Sequence, residues 1–183
     1  MTKEELQFIL EEGEGLTIEF KQSFDKSITK EMVAFTNAIG GKIFLGISDD
    51  REIKGIEITN KIKSQILDIA KNCDPSIKVV TIEVENILIV EVKEGINKPY
   101  QCSYGFYLRI GTNSQKLSRD EILEFSIASG KIRFDEQICQ KFIFKKHFDE
   151  TKFDNFLTVT SISKYLPTKQ ILFRGWNKVN YAE

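Results

Sequence analysis

The sequence has few of the residues that build metal or disulfide sites. Its 183 residues include one histidine, His147, and three cysteines, Cys73, Cys102 and Cys139, which are widely spaced and form no CxxC pair. An odd number of dispersed cysteines is typical of free thiols in a reducing compartment and argues against a zinc site or a disulfide framework. With no cysteine near His147, the sequence also gives little support for a catalytic triad.

Long apolar runs and an N-terminal targeting signal are also missing. No run approaches the roughly 20 apolar residues that a membrane-spanning helix requires. The acidic start, MTKEELQFILEEGEG, lacks the apolar core of a signal peptide. We therefore expect a cytoplasmic protein that makes no contact with a membrane.

An excess of either charge is missing from the chain as a whole. The net charge is −1, so composition alone gives no argument for nucleic-acid binding. Residues 131–183 contain ten Lys and Arg against six Asp and Glu, a net of +4, which leaves −5 for residues 1–130. A basic segment can bind a polyanion, although a modest excess is more often a solvated surface.

The central stretch, Ile28–Gly55, predicts a helix, a Gly-Gly turn and a buried strand. Ile28, Met32, Phe35 and Ile39 recur at helical spacing and predict one apolar helix face. Asn37 and Gly40-Gly41 can end this helix, because glycine adopts the left-handed backbone conformation without a steric penalty. The apolar run 42–47 then predicts a strand covered on both faces, followed by the acidic turn that contains Asp49 and Asp50.

Residues 16–21 alternate between apolar and polar side chains and predict a strand with one buried face. Leu16, Ile18 and Phe20 share one side of this strand, and Thr17, Glu19 and Lys21 share the other, which we expect to be open. Glu14 is on the opposite face from Glu19 if the strand alternation extends to it, so the two carboxylates can converge only if the chain bends at Gly15.

Helices and strands are predicted along the rest of the chain as well. Asn60 is a candidate cap for a helix that ends near Asn72, and Ser118 with Glu121 predicts a capping box. Strands are predicted at 77–84, 86–93 and 106–110. In the C-terminal part we expect a strand around 141–145, a helix from 150 to about 157 that Asp149 caps, a second helix from 167 to 173 and a turn at 175–177.

We predict two parts, a domain over residues 1–130 and a C-terminal extension over residues 131–183. The extension is expected to be short and helical. The final residues contain no stop signal, so we expect the chain to be a truncated part of a larger protein in which a second domain begins.

Several motifs together resemble the Schlafen/AlbA-like domain, which occurs in Schlafen proteins and in many prokaryotic transcriptional regulators. The motifs are Glu14 with Glu19-Phe20-Lys21, Ala34-Phe35-Thr36-Asn37, Gly40-Gly41, Leu45-Gly46-Ile47, Asp49-Asp50, Ile53-Lys54-Gly55, Lys98-Pro99-Tyr100, Tyr107-Leu108-Arg109-Ile110-Gly111 with Ser114, and Arg119 with Glu121-Ile122. The resemblance covers roughly residues 12–128. It implies an α+β fold, with a mixed, mostly antiparallel sheet and helices packed on it, and it implies nucleic acid, RNA or DNA, as the partner.

The resemblance also implies a candidate catalytic site. Animal Schlafens cleave tRNA and rRNA with two glutamates five residues apart and a later aspartate, which bind a divalent metal. Glu14 and Glu19 have that spacing here, and Asp49 or Asp50 follows the next strand, where the third carboxylate is expected. The implied cofactor is Mg²⁺ or Mn²⁺, held by Glu14, Glu19 and Asp49, since hard cations prefer oxygen ligands. The alternative is that Glu19 is a surface charge and that Asp49 and Asp50 only form a turn.

Five residues are candidate contacts to nucleic acid. They are Lys21, Lys98, Tyr107, Arg109 and Arg119. Tyr100, Tyr104 and Tyr107 lie near Lys98 and Arg109, and this mixture can stack bases and hold phosphates; amphipathic rings on a half-buried strand explain it equally well.

Other functions remain open or are disfavoured. A P-loop nucleotide site is not expected, because Gly40-Gly41-Lys42-Ile43 lacks the upstream glycine and the Ser or Thr of that motif. A non-catalytic regulatory module that binds DNA or mediates assembly is the main alternative to an endoribonuclease. A pure protein-interaction domain and a homo-oligomer are also left open.

Overall fold

A computed structural model describes residues 3–132, 141 and 143–160 of the protein. The chain divides into two compact units, Met1–Asp135 and Glu136–Glu183. The elements of the first unit are α1 (Lys3–Glu12), β1 (Ile18–Lys21), α2 (Ile28–Asn37), β2 (Gly41–Leu45), α3 (Asn60–Lys71), β3 (Val79–Val84), β4 (Ile87–Val92), β5 (Gln101–Cys102), β6 (Gly105–Ile110), β7 (Asn113–Lys116) and α4 (Arg119–Ala128). The described part of the second unit contains α5 (Phe144–His147) and α6 (Glu150–Thr160). No helix among the described residues is long and apolar enough to cross a membrane.

Two sheets form the framework of the first unit. The larger sheet has the order β1-β2-β4-β3, in which β1 and β2 are parallel and the other neighbours are antiparallel. The smaller sheet, β5-β6-β7, is antiparallel. The predicted α+β fold with a mixed, mostly antiparallel sheet and a helical C-terminal segment is therefore confirmed.

Strand β2 lies at the centre of the apolar core. Ile43 and Leu45 pack in one cluster with Met32 and Phe35 of α2, whereas Phe44 faces a second cluster that includes residues of α1. The exposed fraction of Ile43, Phe44 and Leu45 is 0%. The prediction of a strand that is covered on both faces is confirmed.

Helix α2 ends at Asn37, one of the predicted stop residues and two positions before the last residue of its apolar pattern. Ile39 is 57% exposed, so the expectation that Ile39 shares the buried face is wrong. The chain turns at Gly40, whose φ is +82°. A Cβ atom there would lie 2.8 Å from the carbonyl oxygen of Val92, so glycine is required both by the backbone conformation and by the close approach of β4.

The smaller sheet is joined to α2 by hydrogen bonds from one buried amide. Nδ2 of Asn37 donates to the carbonyl oxygens of Tyr100 at 2.9 Å and of Tyr107 at 2.8 Å. Oδ1 of Asn37 accepts from the backbone N–H of Tyr100 at 2.7 Å. A single side chain thus holds both Tyr107 of β6 and Tyr100, which precedes β5, against the end of α2.

Helix caps agree with the sequence in two places and differ in one. The capping box of α4 is confirmed, since Ser118 N–H donates to Glu121 Oε2 at 2.7 Å and Ser118 Oγ accepts from Glu121 N–H. The expected cap of α6 is also present, because Asp149 Oδ1 accepts from the N–H of Lys152. The cap of α3 is Thr59 and not Asn60, which is the first helical residue.

The C-terminal segment corrects one prediction. A strand was expected around residues 141–145, but residues 144–147 form the short helix α5. This region alternates poorly between apolar and polar residues, so the sequence offered only a weak strand pattern. The helix and turn predicted at 167–173 and 175–177 lie outside the described residues.

Two of the three cysteines are described, and both are buried free thiols. Burial, and to a lesser extent the neighbouring Cys102, raises the pKa of the Cys73 thiol to about 12. A thiol with such a pKa is almost entirely protonated near neutral pH and is a poor nucleophile or metal ligand.

Candidate nucleic-acid interface

Glu19 of β1 lies in a buried ion pair and not on an open face. Its exposed fraction is 5%, and that of Arg109 on β6 is 3%. Oε2 of Glu19 lies 2.7 Å from Nη1 of Arg109, although this oxygen accepts no well-aligned hydrogen bond from a described residue. The expected open side of β1 is covered because β6 and α2 pack over it.

All three guanidinium nitrogens of Arg109 are engaged. Nε and Nη2 donate to the carbonyl oxygen of Gly15 at 3.1 and 2.9 Å, and Nη2 also donates to that of Ile18 at 3.0 Å. Nη1 faces Glu19 and Glu31, and the guanidinium carbon lies 4.9 Å from the centre of the Phe35 ring. Arginine has five N–H groups and no acceptor, so little of its donor capacity remains for a ligand.

Glu31 brings a second carboxylate to the same arginine. Its Oε2 lies 3.4 Å from Nη1 of Arg109 and accepts a hydrogen bond from Oγ of Ser114. Burial raises the pKa of the Glu31 carboxyl, and the charge of Glu19 raises it further, against the opposing effects of Ser114, Lys21 and Arg109.

Lys21 lies at the outer edge of this charged group. Its ammonium is 2.6 Å from Oε1 of Glu19, and its side chain is 32% exposed. Burial lowers the pKa of Lys21, but the hydrogen bond to Glu19 and the charges of Glu19, Glu31 and Glu14 outweigh that effect and raise it. Lys21 is therefore a firmly charged, partly accessible cation.

Glu14 is brought towards β1 by a bend in the chain. Residues 13–17 form no regular strand, and Oε1 of Glu14 accepts a hydrogen bond from the backbone N–H of Phe20 at 3.0 Å. Such a bend was the condition for Glu14 and Glu19 to approach each other. The remaining carboxylate oxygen of Glu14, an exposed residue, is not held by a described donor.

The acidic turn is tethered to α1. Asp49 and Asp50 are both exposed. The next residue, Arg51, donates from Nη1 to the carbonyl oxygen of Glu11 at 2.9 Å, at the C-terminal end of α1. A cation is favourable at that end of a helix, so the turn has a clear structural role whether or not it binds a ligand.

The residues as arranged do not fit a metal site with three carboxylate ligands. Within the part of the chain that the structure describes, no group of three or more His, Cys, Asp or Glu side chains is placed to hold a metal ion. One oxygen of Glu19 lies against Lys21 and the other against Arg109. To bind a cation, Glu19 would have to give up at least one of these contacts.

The other predicted nucleic-acid contacts differ in accessibility. Tyr107 is 7% exposed, and together with Arg109 it faces the core, so the burial of these two residues does not fit a direct phosphate contact. The ammonium of Lys98 donates to the carbonyl oxygen of Ala38 and lies 2.7 Å from Glu94. Arg119 is exposed, at 94% of its side chain, and pairs with Asp120 at 3.1 Å.

A cavity of about 460 Å³ opens between α2, α3 and the β5–β6 turn. Its lining includes two aromatic rings and several polar side chains. The lining residues are Phe24, Lys26, Thr29, Gln65, Asp68, Ile69, Asn72, Cys102, Ser103 and Tyr104. Tyr104 is 45% exposed, so one ring of the cavity is accessible to a ligand.

Three lysines, Lys26, Lys30 and Lys116, lie around the Tyr104–Gly105 turn, and we refer to them as the lysine surface. Lys26 lines the cavity. The ammonium of Lys30 is 5.2 Å from the centre of the Tyr104 ring. The side chain of Lys116 covers Gly105, because a Cβ atom on this glycine would lie 2.9 Å from Cε of Lys116.

Lys21 is a neighbour of the lysine surface through Asp25, because the charges of Lys21 and Lys30 both act on that carboxyl. Hydrogen bonds from Ser27 lower the pKa of the Asp25 carboxyl most. The charges of Lys21 and Lys30 lower this pKa further, against the opposing effect of burial. Of the lysine surface and its neighbour, sequence reasoning found only Lys21. The tyrosine-rich stretch around Tyr104 was the one available signal, because Lys116 lies about 90 residues after Lys26 and Lys30 in the sequence.

Comparison with known proteins finds a matching family and similar solved structures. The family described as Schlafen, AlbA_2 matches residues 14–118. Among solved structures, the DIP2311 protein from Corynebacterium diphtheriae is similar at 19% sequence identity, with a TM-score of 0.46. The similarity covers 62% of this chain and 27% of the other, so this chain spans about a quarter of that protein's length.

Proposed function

Because the chain belongs to the Schlafen AlbA_2 family, which is associated with nucleic-acid binding, we propose that it binds nucleic acid through the lysine surface. Lys21 and Arg119 are further phosphate contacts in this proposal, and the buried Arg109 positions the strands that carry the surface. The observation that supports it best is the grouping of three cations around the Tyr104–Gly105 turn and the cavity, with Lys30 over the accessible Tyr104 ring.

The free charge of these lysines distinguishes them from several others. Lys54, Lys63, Lys93 and Lys98 are each paired with a glutamate. Within the described residues, no such ion pair is found for Lys26, Lys30 or Lys116. An unpaired ammonium can release its counterions and those of a phosphate when the two meet, which is the main source of non-specific affinity for nucleic acid.

The direct test is to replace the lysine surface and measure binding. Fluorescence anisotropy with a labelled single-stranded RNA should show affinity reduced roughly tenfold or more in a Lys26→Gln, Lys30→Gln, Lys116→Gln variant, because three phosphate contacts are lost. The matched control carries Lys42→Gln, Lys61→Gln and Lys78→Gln, which remove the same charge from exposed positions that do not line the cavity. Equal losses in the two variants would contradict the proposal.

Metal-dependent cleavage of structured RNA such as tRNA is the second candidate function. It rests on Glu14, whose carboxylate is held beside β1 by the N–H of Phe20 and keeps one oxygen without a described donor, and it requires Glu19 to give up its contact with Lys21 or Arg109. The test is incubation with tRNA and with single-stranded DNA, in Mn²⁺ or chelator, beside Glu14→Gln, which alters an exposed residue. Cleavage that needs the metal and Glu14 supports this function. Binding of the DNA in preference to tRNA, without cleavage of either, supports the third candidate, a DNA-binding regulatory module.

A further inference from the structure

We propose that the cavity between α2, α3 and the β5–β6 turn receives one unstacked base of a single-stranded nucleic acid. This inference rests on the proposed function and specifies its ligand. A cavity of about 460 Å³ is within the range of roughly 300–1,000 Å³ that is usual for small-ligand sites. A base can enter such a concave site only when it has left its duplex or its stack.

The cavity offers an aromatic surface for stacking. Phe24 and Tyr104 both line it. Phe24 is half-buried and packs against the core, whereas the Tyr104 ring is accessible. Unpaired bases stack on such rings whatever their sequence, because every base has a π-face.

The wall that α3 contributes carries groups that can bind the edge of a base. Gln65 and Asn72 line the cavity with side-chain amides, and neither amide is hydrogen-bonded to another described residue. Each amide offers both donors and an acceptor, which is the combination that pairs with adenine in specific complexes. Asp68, on the same helix, adds an acceptor.

Two lysines lie at the opening of the cavity, where they can contact the phosphates attached to the bound nucleotide. Lys26 is part of the lining, and the ammonium of Lys30 stands 5.2 Å from the centre of the Tyr104 ring. Rings for the base, amides for its edge and ammonium groups for its phosphates thus meet at one opening. A double helix would reach only the ammonium groups, because its bases are stacked inside.

The experiment compares Tyr104→Leu with Tyr104→Phe, which keeps the ring. Anisotropy is measured with a labelled single-stranded RNA and with a duplex of the same length. Loss of one stacking contact should weaken single-strand binding by roughly 5- to 150-fold in Tyr104→Leu, with little change in Tyr104→Phe and little change for the duplex in either variant. Circular dichroism checks that both variants fold, which we expect since Tyr104 is 45% exposed.

The remaining outcomes distinguish a failure of the base site from a failure of the proposed nucleic-acid binding. If binding depends on the lysine surface but is the same in wild type and Tyr104→Leu, the base site is contradicted and the proposed function stands. Equal losses for single strand and duplex would also contradict it. Failure of the wild type to bind either nucleic acid overturns both. Adenosine monophosphate serves as a competitor, and if it binds as tightly as the RNA the ligand is a free nucleotide and not a strand.

Discussion

At the scale of single residues, Arg109 determines how β6 is held. Its guanidinium is almost fully buried between Glu19 and Glu31, and it donates to the backbone of the bend before β1. Burying an ion pair costs desolvation free energy, and removing one partner leaves an uncompensated charge in the interior. The same residue in the sequence appears as a charge on a strand next to tyrosines, which equally fits a phosphate contact.

Replacing Arg109 should therefore destabilise the protein strongly. We expect Arg109→Leu to lower the free energy of unfolding by about 3–5 kcal/mol, because Glu31 and Oε2 of Glu19 are left buried without the cation that faces them. Arg119→Leu is the control, and its effect should be within about 0.5 kcal/mol because that side chain is exposed. Urea unfolding followed by circular dichroism measures both, and a similar loss for the two variants would rule out this account of Arg109.

The pH dependence of stability should contain a contribution from Glu31. The pKa of its carboxyl is raised in the folded protein, so the folded state holds this proton more tightly than the unfolded state does. The stability that Glu31 contributes is thus present below its ordinary pKa and is lost as pH rises through the raised value. The free energy of unfolding of wild type minus that of Glu31→Gln should fall over this window.

Urea unfolding of both proteins at a series of pH values measures that difference. Groups common to the two proteins cancel in the subtraction, so the remaining slope reports Glu31. A difference that rises with pH would mean that the charges of Arg109 and Lys21 outweigh burial at this carboxyl.

At the scale of elements, patterns within short stretches of sequence predicted the helices, strands and caps that those stretches form. The alternation before Lys21, the helical spacing after Ile28 and the capping box at Ser118 each correspond to an element of the structure. The pattern could not reveal that Glu19 is buried, because its cover comes from β6, about 90 residues later. Nor could it reveal the cavity, which combines side chains of α3 with those of the β5–β6 turn.

The contact between α2 and the smaller sheet should depend on Asn37. Replacing Asn37 by Ala leaves the N–H of Tyr100 and the carbonyls of Tyr100 and Tyr107 without this partner. A buried group without its partner costs about 1–3 kcal/mol, so we expect Asn37→Ala to lose roughly 3 kcal/mol in urea unfolding. Asn97→Ala, at an exposed position, is the control, and a loss below about 1 kcal/mol for Asn37→Ala would contradict the role assigned to this amide.

At the scale of the whole molecule, net charge is a poor guide to partners. The chain is close to neutral, yet Lys26, Lys30 and Lys116 concentrate unpaired positive charge beside an accessible ring and a cavity. Many of the other charged side chains form ion pairs, either buried around Arg109 or on the surface. Where the charges lie in the fold, and not how many there are, supports nucleic-acid binding.

The dependence of affinity on salt tests this central claim most directly. The logarithm of the binding constant for single-stranded RNA should fall linearly with the logarithm of salt concentration, with a slope of about −0.7 for each phosphate neutralised. In the Lys26→Gln, Lys30→Gln, Lys116→Gln variant the slope should be smaller in magnitude by about two, and in the Lys42→Gln, Lys61→Gln, Lys78→Gln control it should be unchanged. Equal slopes in wild type and the lysine-surface variant, or a wild-type affinity that does not depend on salt, would contradict binding through these lysines and favour a protein partner.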